Sequence, residues 1–278
     1  MKTSLLLSFL VISFSASAFS LKKEKSFDLP VIFNGVEEKA TIFNSQDKDP
    51  KGILILTPTI AGVSPLEKIN AQFFAKNGFV VIVPLPYLNQ VDSLTPNIAM
   101  LDQEFDKPYR LAVKFLEETQ KVLKLKDHLP VFVLGASQGG FRSLIIASLL
   151  NERVKGLWFA TAGVDFPSIY AQSKVKKIAA FKERSKKVLG IETDQDYENY
   201  LRVHLQNDPK NICQKIKVPF VQVIALKDDK VPTHNQELLS QACPATETIR
   251  LNTGHIGGSI STVTMNKKIL AFFNEQLE

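Results

Sequence analysis

A serine stands in a glycine-rich turn between an apolar run and a helix-like segment. Residues 135–139 read Gly-Ala-Ser-Gln-Gly and place Ser137 at the centre. An apolar run at 130–134 leads into the motif, and residues 141–150 (FRSLIIASLL) continue it as a helix pattern. Such a strand–turn–helix setting holds a serine on a sharp, strained turn, where its neighbours must be small. The pattern predicts that Ser137 is a nucleophile; the alternative is a glycine-rich turn with an incidental serine.

A candidate base and a candidate acid follow later in the chain, because a serine hydroxyl needs a positioned base to act at neutral pH. His255, in residues 254–258 (GHIGG), follows the last apolar run. The imidazole needs an acid that fixes its tautomer, and Asp228 follows the preceding run. Asp229 remains a rival, since sequence does not separate adjacent loop residues. The order Ser, Asp, His predicts a catalytic triad at one edge of a sheet.

The other three histidines suit the role of base less well. His128 precedes an apolar run and would lie at the opposite edge of the sheet. His204 falls in a long segment without strand patterns, where we expect a surface or packing role. His234 stands at a predicted helix start, where we expect a capping or exposed role.

Short apolar runs alternate with amphipathic segments along most of the chain. The predicted strands are 52–56, 79–83, 130–134, 156–160, 220–226 and 247–251. The predicted helices are 65–76, 107–123, 138–150, 234–242 and 261–277. Continuous apolar runs are typical of strands covered on both faces, and the alternation favours a doubly wound, mostly parallel α/β sheet. Residues 27–33 and 39–43, around Asn34-Gly35, predict a hairpin with an antiparallel strand at one edge.

One segment, residues 164–217, interrupts this alternation. It contains no strand pattern, and most of it predicts helix, at 169–189 and 194–205. Insertions of this length in compact domains usually carry structure of their own or a function. We expect a helical cap over the carboxyl edge of the sheet.

From about residue 26 to its end, the chain resembles the α/β-hydrolase superfamily. The segments 135–140 (GASQGG), 227–232 (KDDKVP) and 254–258 (GHIGG) match its motifs in order. The resemblance implies Ser137 as nucleophile, His255 as base and Asp228 as acid, although Ala225 replaces a glycine of the superfamily's acid motif. It implies an α/β-hydrolase domain over 19–278 with the cap at about 164–217. No metal or organic cofactor is expected.

The resemblance also implies an oxyanion hole built from two backbone N–H groups. One would belong to Gln138, the residue after the nucleophile. The other would come from the loop after the first central strand, where the superfamily often has His-Gly-x-x-Gly and this chain has Pro-Thr-Ile-Ala-Gly at 58–62. We expect Ile60 to supply the second donor. The choice of donor within 58–62 stays open, since Pro58 has no N–H to donate.

No motif in this sequence identifies the substrate. An ester is the expected substrate, because the leaving group of an ester needs the least catalytic assistance to depart. Peptidase or amidase activity on a short peptide, acyl transfer to an acceptor, and a non-catalytic binding protein remain alternatives. Tyr87, Phe166 and Tyr170 are candidate pocket residues; Tyr87 lies in the stretch 84–87 (PLPY), where relatives often carry an aspartate and a glycine.

The first eighteen residues have the pattern of a secretory signal peptide. Lys2 precedes an apolar stretch at 5–14, and residues 16–18 (Ala-Ser-Ala) suit cleavage after Ala18. The sequence predicts an exported protein, periplasmic or secreted, with a short uncleaved anchor as the alternative. Two cysteines, Cys213 and Cys243, each precede a predicted strand. A disulfide and two buried thiols both remain open.

The composition excludes a disordered or fibrous protein, since 45% of the 278 residues are hydrophobic and 22% are charged. The net charge of +6 is spread along the chain and is dense only at 174–187. A solvated helix face is the favoured interpretation of that segment; weak contact with an anionic lipid or polymer is the alternative. No nucleic acid partner is expected, and the oligomeric state stays open.

Overall fold

The structure, a computed structural model, describes residues 26–59, 62–84, 98–205, 208–243 and 245–277. The predicted signal peptide, residues 1–18, lies outside the described residues. So do Ile60 and Tyr87, two of the residues predicted to take part in the site.

Eight strands form one sheet in the described part of the chain. They are β1 (Ser26–Phe33), β2 (Val36–Phe43), β3 (Gly52–Thr57), β4 (Phe79–Pro84), β5 (Val131–Ala136), β6 (Val154–Ala160), β7 (Phe220–Ala225) and β8 (Glu247–Leu251). Their order across the sheet is β1-β2-β4-β3-β5-β6-β7-β8. Strand β2 pairs antiparallel with β1 and β4, and the remaining pairs are parallel. The predicted doubly wound, mostly parallel sheet is confirmed, but its antiparallel strand lies one place in from the edge.

Helices cover both faces of this sheet. They are α1 (Pro65–Lys76), α2 (Ile98–Leu123), α3 (Gln138–Leu150), α4 (Phe166–Gln172), α5 (Lys176–Leu189), α6 (Asp194–His204), α7 (Pro209–Ile212), α8 (Thr233–Ala242), α9 (His255–Thr264) and α10 (Asn266–Glu275). Within the described ranges, no helix is both long and apolar enough to cross a bilayer.

The apolar runs of the sequence became central strands because both faces of the sheet are covered. Every residue of β3, β5 and β7 is buried. On one face, Phe74 of α1 and Phe273 of α10 pack against Phe79 and Phe132. On the other face, helices α2, α3 and α8 contribute buried side chains to a second cluster. Strands enclosed in this way have no solvent face, so their sequences do not alternate.

Two predicted helices are each interrupted in the structure. The predicted helix 169–189 is α4 and α5, separated at Ser173, whose backbone is extended (ψ 130°) and whose Oγ accepts a hydrogen bond from Val175 N–H. The predicted helix 261–277 is α9 and α10, and α9 begins earlier, at His255. Glycine disfavours helix interiors, so the two glycines at 257–258 made the sequence predict a later start for this helix. Gly258 is needed because an added Cβ would lie 2.4 Å from Thr161 Cγ2.

Helices α4 to α7 form the insertion between β6 and β7. Ionic contacts tie these helices together. Arg202 of α6 bonds both carboxylate oxygens of Asp165, the residue before α4. Lys182 of α5 donates to Ala171 O at 2.9 Å and to Asp194 at 2.7 Å, and Lys186 also bonds Asp194. Part of the basic segment 174–187 is therefore engaged inside the insertion.

A disulfide joins Cys213, just after α7, to Cys243, just after α8. The two Cα atoms lie 5.7 Å apart, and both side chains are buried. Each cysteine precedes a strand, so the bond lies at the amino edge of the sheet, away from the elbow that follows β5. It anchors the last helix of the insertion to the main domain.

We expect the double variant Cys213→Ser/Cys243→Ser to lose about 3 kcal/mol of unfolding free energy, since the bond closes a loop of 30 residues. Urea denaturation of wild type and variant, each with and without reductant, measures this. Reductant should destabilise the wild type by a similar amount and leave the variant unchanged. Equal stability of oxidised wild type and variant would contradict the expectation.

Candidate active site

Ser137 lies on the sharp turn between β5 and α3. Its backbone has φ 54° and ψ −126°, a conformation that non-glycine residues seldom adopt. Its N–H donates to Ala160 O at 2.9 Å and lies 3.1 Å from Thr161 Oγ1. These bonds to the end of the neighbouring strand β6 hold the serine in its strained conformation, as the motif predicts.

The glycines on either side of the serine allow α3 to approach the end of β3. A Cβ added to Gly139 would lie 2.2 Å from the Thr57 carbonyl oxygen. A Cβ on Gly135 would lie 2.2 Å from Thr57 Oγ1. The Thr57 hydroxyl itself lies 2.7 Å from Gly139 O and 2.7 Å from Ser143 Oγ. The space that a side chain would need is taken by backbone and by this buried hydroxyl pair.

The three predicted triad residues lie in a hydrogen-bonded line. His255 Nε2 lies 2.9 Å from Ser137 Oγ. His255 Nδ1 lies 2.8 Å and 3.0 Å from the two carboxylate oxygens of Asp228. Asp229, the rival acid, is exposed, whereas the Asp228 side chain is completely buried. A nucleophile, a base and an acid in this order can carry out proton transfer and acyl chemistry.

The Asp228 carboxylate is held by three further donors. Its Oδ1 accepts from the N–H groups of Lys230 and Val231, at 2.9 and 3.0 Å. Its Oδ2 accepts from Gln236 Nε2 at 2.9 Å. These three donors engage both carboxylate oxygens independently of His255, so they fix the orientation of the carboxylate plane.

Gln236, on α8, is a residue in contact with Asp228 that the sequence did not reveal. It is fully buried, and besides Asp228 its amide contacts Val231 O and receives Ala225 N–H. It therefore connects the end of β7, the acid loop and the triad. The signal available was a glutamine eight positions after Asp228 in the first turn of a predicted helix, which is too weak to identify such a role.

The expected oxyanion donors are only partly within the described residues. Gln138 is the first residue of α3 and lines the cavity beside Ser137. Its N–H is therefore among those that an α-helix leaves without an internal partner. In the facing loop, Thr59 N–H donates to Glu67 Oε1 and Gly62 N–H to Thr59 O. Ile60 lies outside the described residues, so its predicted role stays a prediction.

Glu67, in the first turn of α1, is a second residue that was missed. It is buried, and it accepts hydrogen bonds from Thr59 N–H, from Ser64 N–H and from the Ser64 hydroxyl. It thereby ties both ends of the loop 59–64 to α1. The Ser64-x-x-Glu67 capping-box spacing was the available signal.

A cavity of about 370 Å³ opens beside Ser137 and His255. Phe166 and Tyr170 of the insertion line it, as predicted, and α5 adds Ile178. Arg142 also lines it, although the sequence analysis did not single it out. Further lining side chains are Leu66, Tyr109, Phe141, Ile169, Val175, Val231 and Ile256. The wall is mostly apolar and suits an organic substrate.

The remaining histidines do not contribute to this cavity. His128, His204 and His234 are absent from the described residues that line it. His204 packs its ring against Tyr200, with centroids 4.3 Å apart. Across the described ranges, no group of three or more His, Cys, Asp or Glu side chains could hold a metal ion.

We expect Gly139→Ala to lose about 3 kcal/mol of unfolding free energy, because its Cβ would overlap backbone atoms that have no room to move. The matched control is Gly254→Ala, beside His255, where φ is −83° and the nearest atom to an added Cβ is 3.4 Å away. That variant should stay within about 1 kcal/mol of wild type. Urea denaturation measures both, and equal losses would contradict the packing argument.

The sequence matches no protein-family model and no curated protein. Its structure is similar to that of an acylaminoacyl peptidase from Pyrococcus horikoshii, with a TM-score of 0.70 and 14% identity over 92% of this chain. This chain spans only 42% of that peptidase. It is also similar to Est1E from Butyrivibrio proteoclasticus (TM-score 0.62, 16% identity, covering 90% of this chain and 98% of Est1E). An esterase domain from Rhodothermus marinus gives a TM-score of 0.61 at 14% identity, covering 91% of this chain and all of that domain. With its sheet order and nucleophile elbow, the chain has the α/β-hydrolase fold.

Proposed function

We propose that this protein is a serine hydrolase that cleaves a carboxylic ester through an acyl-enzyme. The observation that carries the proposal is the continuous line of hydrogen bonds from Ser137 through His255 to a buried Asp228. The names of the structural neighbours, which include esterases and a peptidase, agree with a hydrolase.

In the first step, Ser137 Oγ attacks the ester carbonyl carbon while His255 Nε2 takes its proton. Asp228 holds the imidazole with Nδ1 protonated, so that Nε2 is free to act as the base, and it stabilises the imidazolium that forms. The three donors on Asp228 keep that carboxylate from rotating away during the transfer. The protonated His255 then returns its proton to the departing alcohol.

The negative charge that develops on the carbonyl oxygen requires donors placed in advance. The proposed donors are the N–H groups of Gln138 and Ile60. The first lies at the N-terminus of α3, where the helix dipole also favours negative charge. Ile60 is proposed as the second donor because the N–H groups of Thr59 and Gly62, in the same loop, already donate to other acceptors.

In the second step, water activated by His255 attacks the acyl-enzyme and releases the acid. Both steps use only groups of this chain, so the proposal requires no metal or organic cofactor. An acyl acceptor other than water would make the same intermediate a transferase, and the choice depends on what reaches the acyl-enzyme.

The substrate of the proposal is a small ester. The cavity of about 370 Å³ is lined mainly by aliphatic and aromatic side chains, which favours a short acyl or alcohol chain. Phe166 and Tyr170 are proposed contacts, and Tyr87 stays a candidate from sequence. Residues of α4 and α5 line this cavity, which supports the role of segment 164–217 as a cap that sets specificity.

We propose further that the protein is exported after removal of residues 1–18, to the periplasm or the exterior. The disulfide between Cys213 and Cys243 supports this location, because such bonds persist outside the reducing cytosol.

We expect the wild type to react with a fluorophosphonate probe and Ser137→Ala not to react, because the probe captures an activated serine. Asp228→Asn should lower kcat by about three to four orders of magnitude. Asp229→Asn, which changes an exposed neighbour, is the matched control and should leave kcat unchanged. The rates are measured with p-nitrophenyl acetate.

Two results would contradict this proposal. A folded wild type that neither labels nor hydrolyses esters would favour a binding protein that kept the fold. Loss of activity in Asp229→Asn with activity retained in Asp228→Asn would reverse the assignment of the acid.

Glu67→Gln should lower kcat about tenfold with little change in KM. The substitution replaces one carboxylate oxygen of residue 67 by an NH2 group, which cannot accept a hydrogen bond and weakens the contact with Thr59 N–H. The loop that carries the proposed second oxyanion donor would then shift. Glu37→Gln, an exposed residue of β2, is the control. Steady-state kinetics on p-nitrophenyl acetate measures both variants, and an unchanged kcat in Glu67→Gln would exclude the positioning role.

A further inference from the structure

Arg142 is the basic side chain nearest in sequence to the nucleophile, and it lines the same cavity as Ser137 and His255. It lies on α3, five residues after Ser137, which corresponds to about 7.5 Å along the helix axis. Its chain neighbour Phe141 lines the cavity as well. At this backbone spacing, and in the same cavity, Arg142 is within reach of a substrate whose short acyl chain is bound at Ser137.

The wall of the cavity is electrostatically unbalanced. Two basic side chains, Arg142 and Lys230, contribute to it, and no Asp or Glu among the described residues does. Nor does Arg142 form an ion pair with any described carboxylate, in contrast to two other arginines, Arg202 and Arg250. The Arg142 side chain is partly buried in this wall, so it is not a fully solvated surface arginine.

Burial lowers the pKa of Arg142, and the nearby phenol groups of Tyr109 and Tyr170 only partly oppose that effect. An arginine stays protonated in proteins even so, and removing part of its hydration costs free energy when no carboxylate among the described residues pairs with it. A bound carboxylate would remove that cost, since guanidinium and carboxylate pair through two parallel hydrogen bonds.

We propose that Arg142 binds a carboxylate of the substrate, so that the preferred substrates are half-esters of short dicarboxylic acids rather than neutral esters. This inference rests on the proposed hydrolase function and names its substrate class. The ester carbonyl would lie at Ser137 and the free carboxylate at Arg142, with the apolar wall around the methylene groups between them. Lys230, also in the wall, adds to the positive potential that attracts the anion.

The experiment compares pairs of matched chain length by pH-stat: monoethyl succinate with ethyl butanoate, monoethyl glutarate with ethyl pentanoate, and monoethyl adipate with ethyl hexanoate. The quantity measured is the ratio of kcat/KM for the half-ester to that for the neutral ester. We expect a ratio of about 10 to 100 for at least one pair, the factor that a charge-assisted hydrogen bond provides. The best chain length then reports the distance from Ser137 to Arg142.

Arg142→Met should bring this ratio to about 1, and Arg142→Lys, which keeps the charge without the planar fork, should give an intermediate value. Because each value is a ratio within one protein sample, partial loss of folded enzyme cancels. Arg110→Met removes the same charge from an exposed position and should leave the wild-type ratio unchanged.

The outcomes separate the inference from the proposed function. A wild type that labels with fluorophosphonate and hydrolyses neutral esters, but shows no preference for any half-ester, overturns the inference and leaves the hydrolase intact. A preference that persists in Arg142→Met also overturns it. Absence of labelling and of hydrolysis with every ester overturns both.

Discussion

The strained turn at Ser137 is the constraint on which the rest of the site depends. A serine at φ 54° persists only because the surrounding structure holds it, through the bonds of its N–H to the end of β6 and through the close approach of α3 to Thr57. That approach excludes side chains at positions 135 and 139. The result is a hydroxyl that projects above the carboxyl edge of the sheet, where the loops after β7 and β8 can reach it.

Those two loops are organised by buried polar groups and not by packing alone. Gln236 bonds the acid, the chain after it and the end of β7, so one amide sets the position of Asp228 relative to the sheet. Glu67 has a comparable role on the other side of the serine, where it holds the loop 59–64. Buried polar networks of this kind cost free energy unless every member has a partner, and both carboxylates have several.

The fold, and the residues Ser137, Asp228 and His255 that the structure brings into one hydrogen-bonded line, could be predicted from sequence because their signals are local. Apolar runs predict the central strands because burial on both faces constrains every position of a run. The glycines at 135 and 139 predict the turn because the close approach of backbone excludes side chains there. Gln236, Glu67 and Arg142 escaped because a single polar residue in a helix pattern looks like any other. The loop and strand-end groups that Gln236 and Glu67 bond are recognisable as partners only in the folded structure. The break at Ser173 and the early start of α9 escaped for different reasons. A local side-chain bond to the Val175 N–H accompanies the break, whereas Gly258, near the start of α9, is set by a close tertiary approach to Thr161 that overrides helix propensity.

The ionic ties inside the insertion have a consequence for selectivity. Lys182 is buried and joins the end of α4 to the start of α6, and Arg202 joins α6 to the residue before α4. Helices cross-linked in this way hold their relative positions before any ligand arrives. If the cavity binds the proposed substrate, walls held in this way would reduce the entropy cost of ordering them on binding. The same contacts would disfavour a branched or bulky substrate, because such a molecule could enter only if they broke.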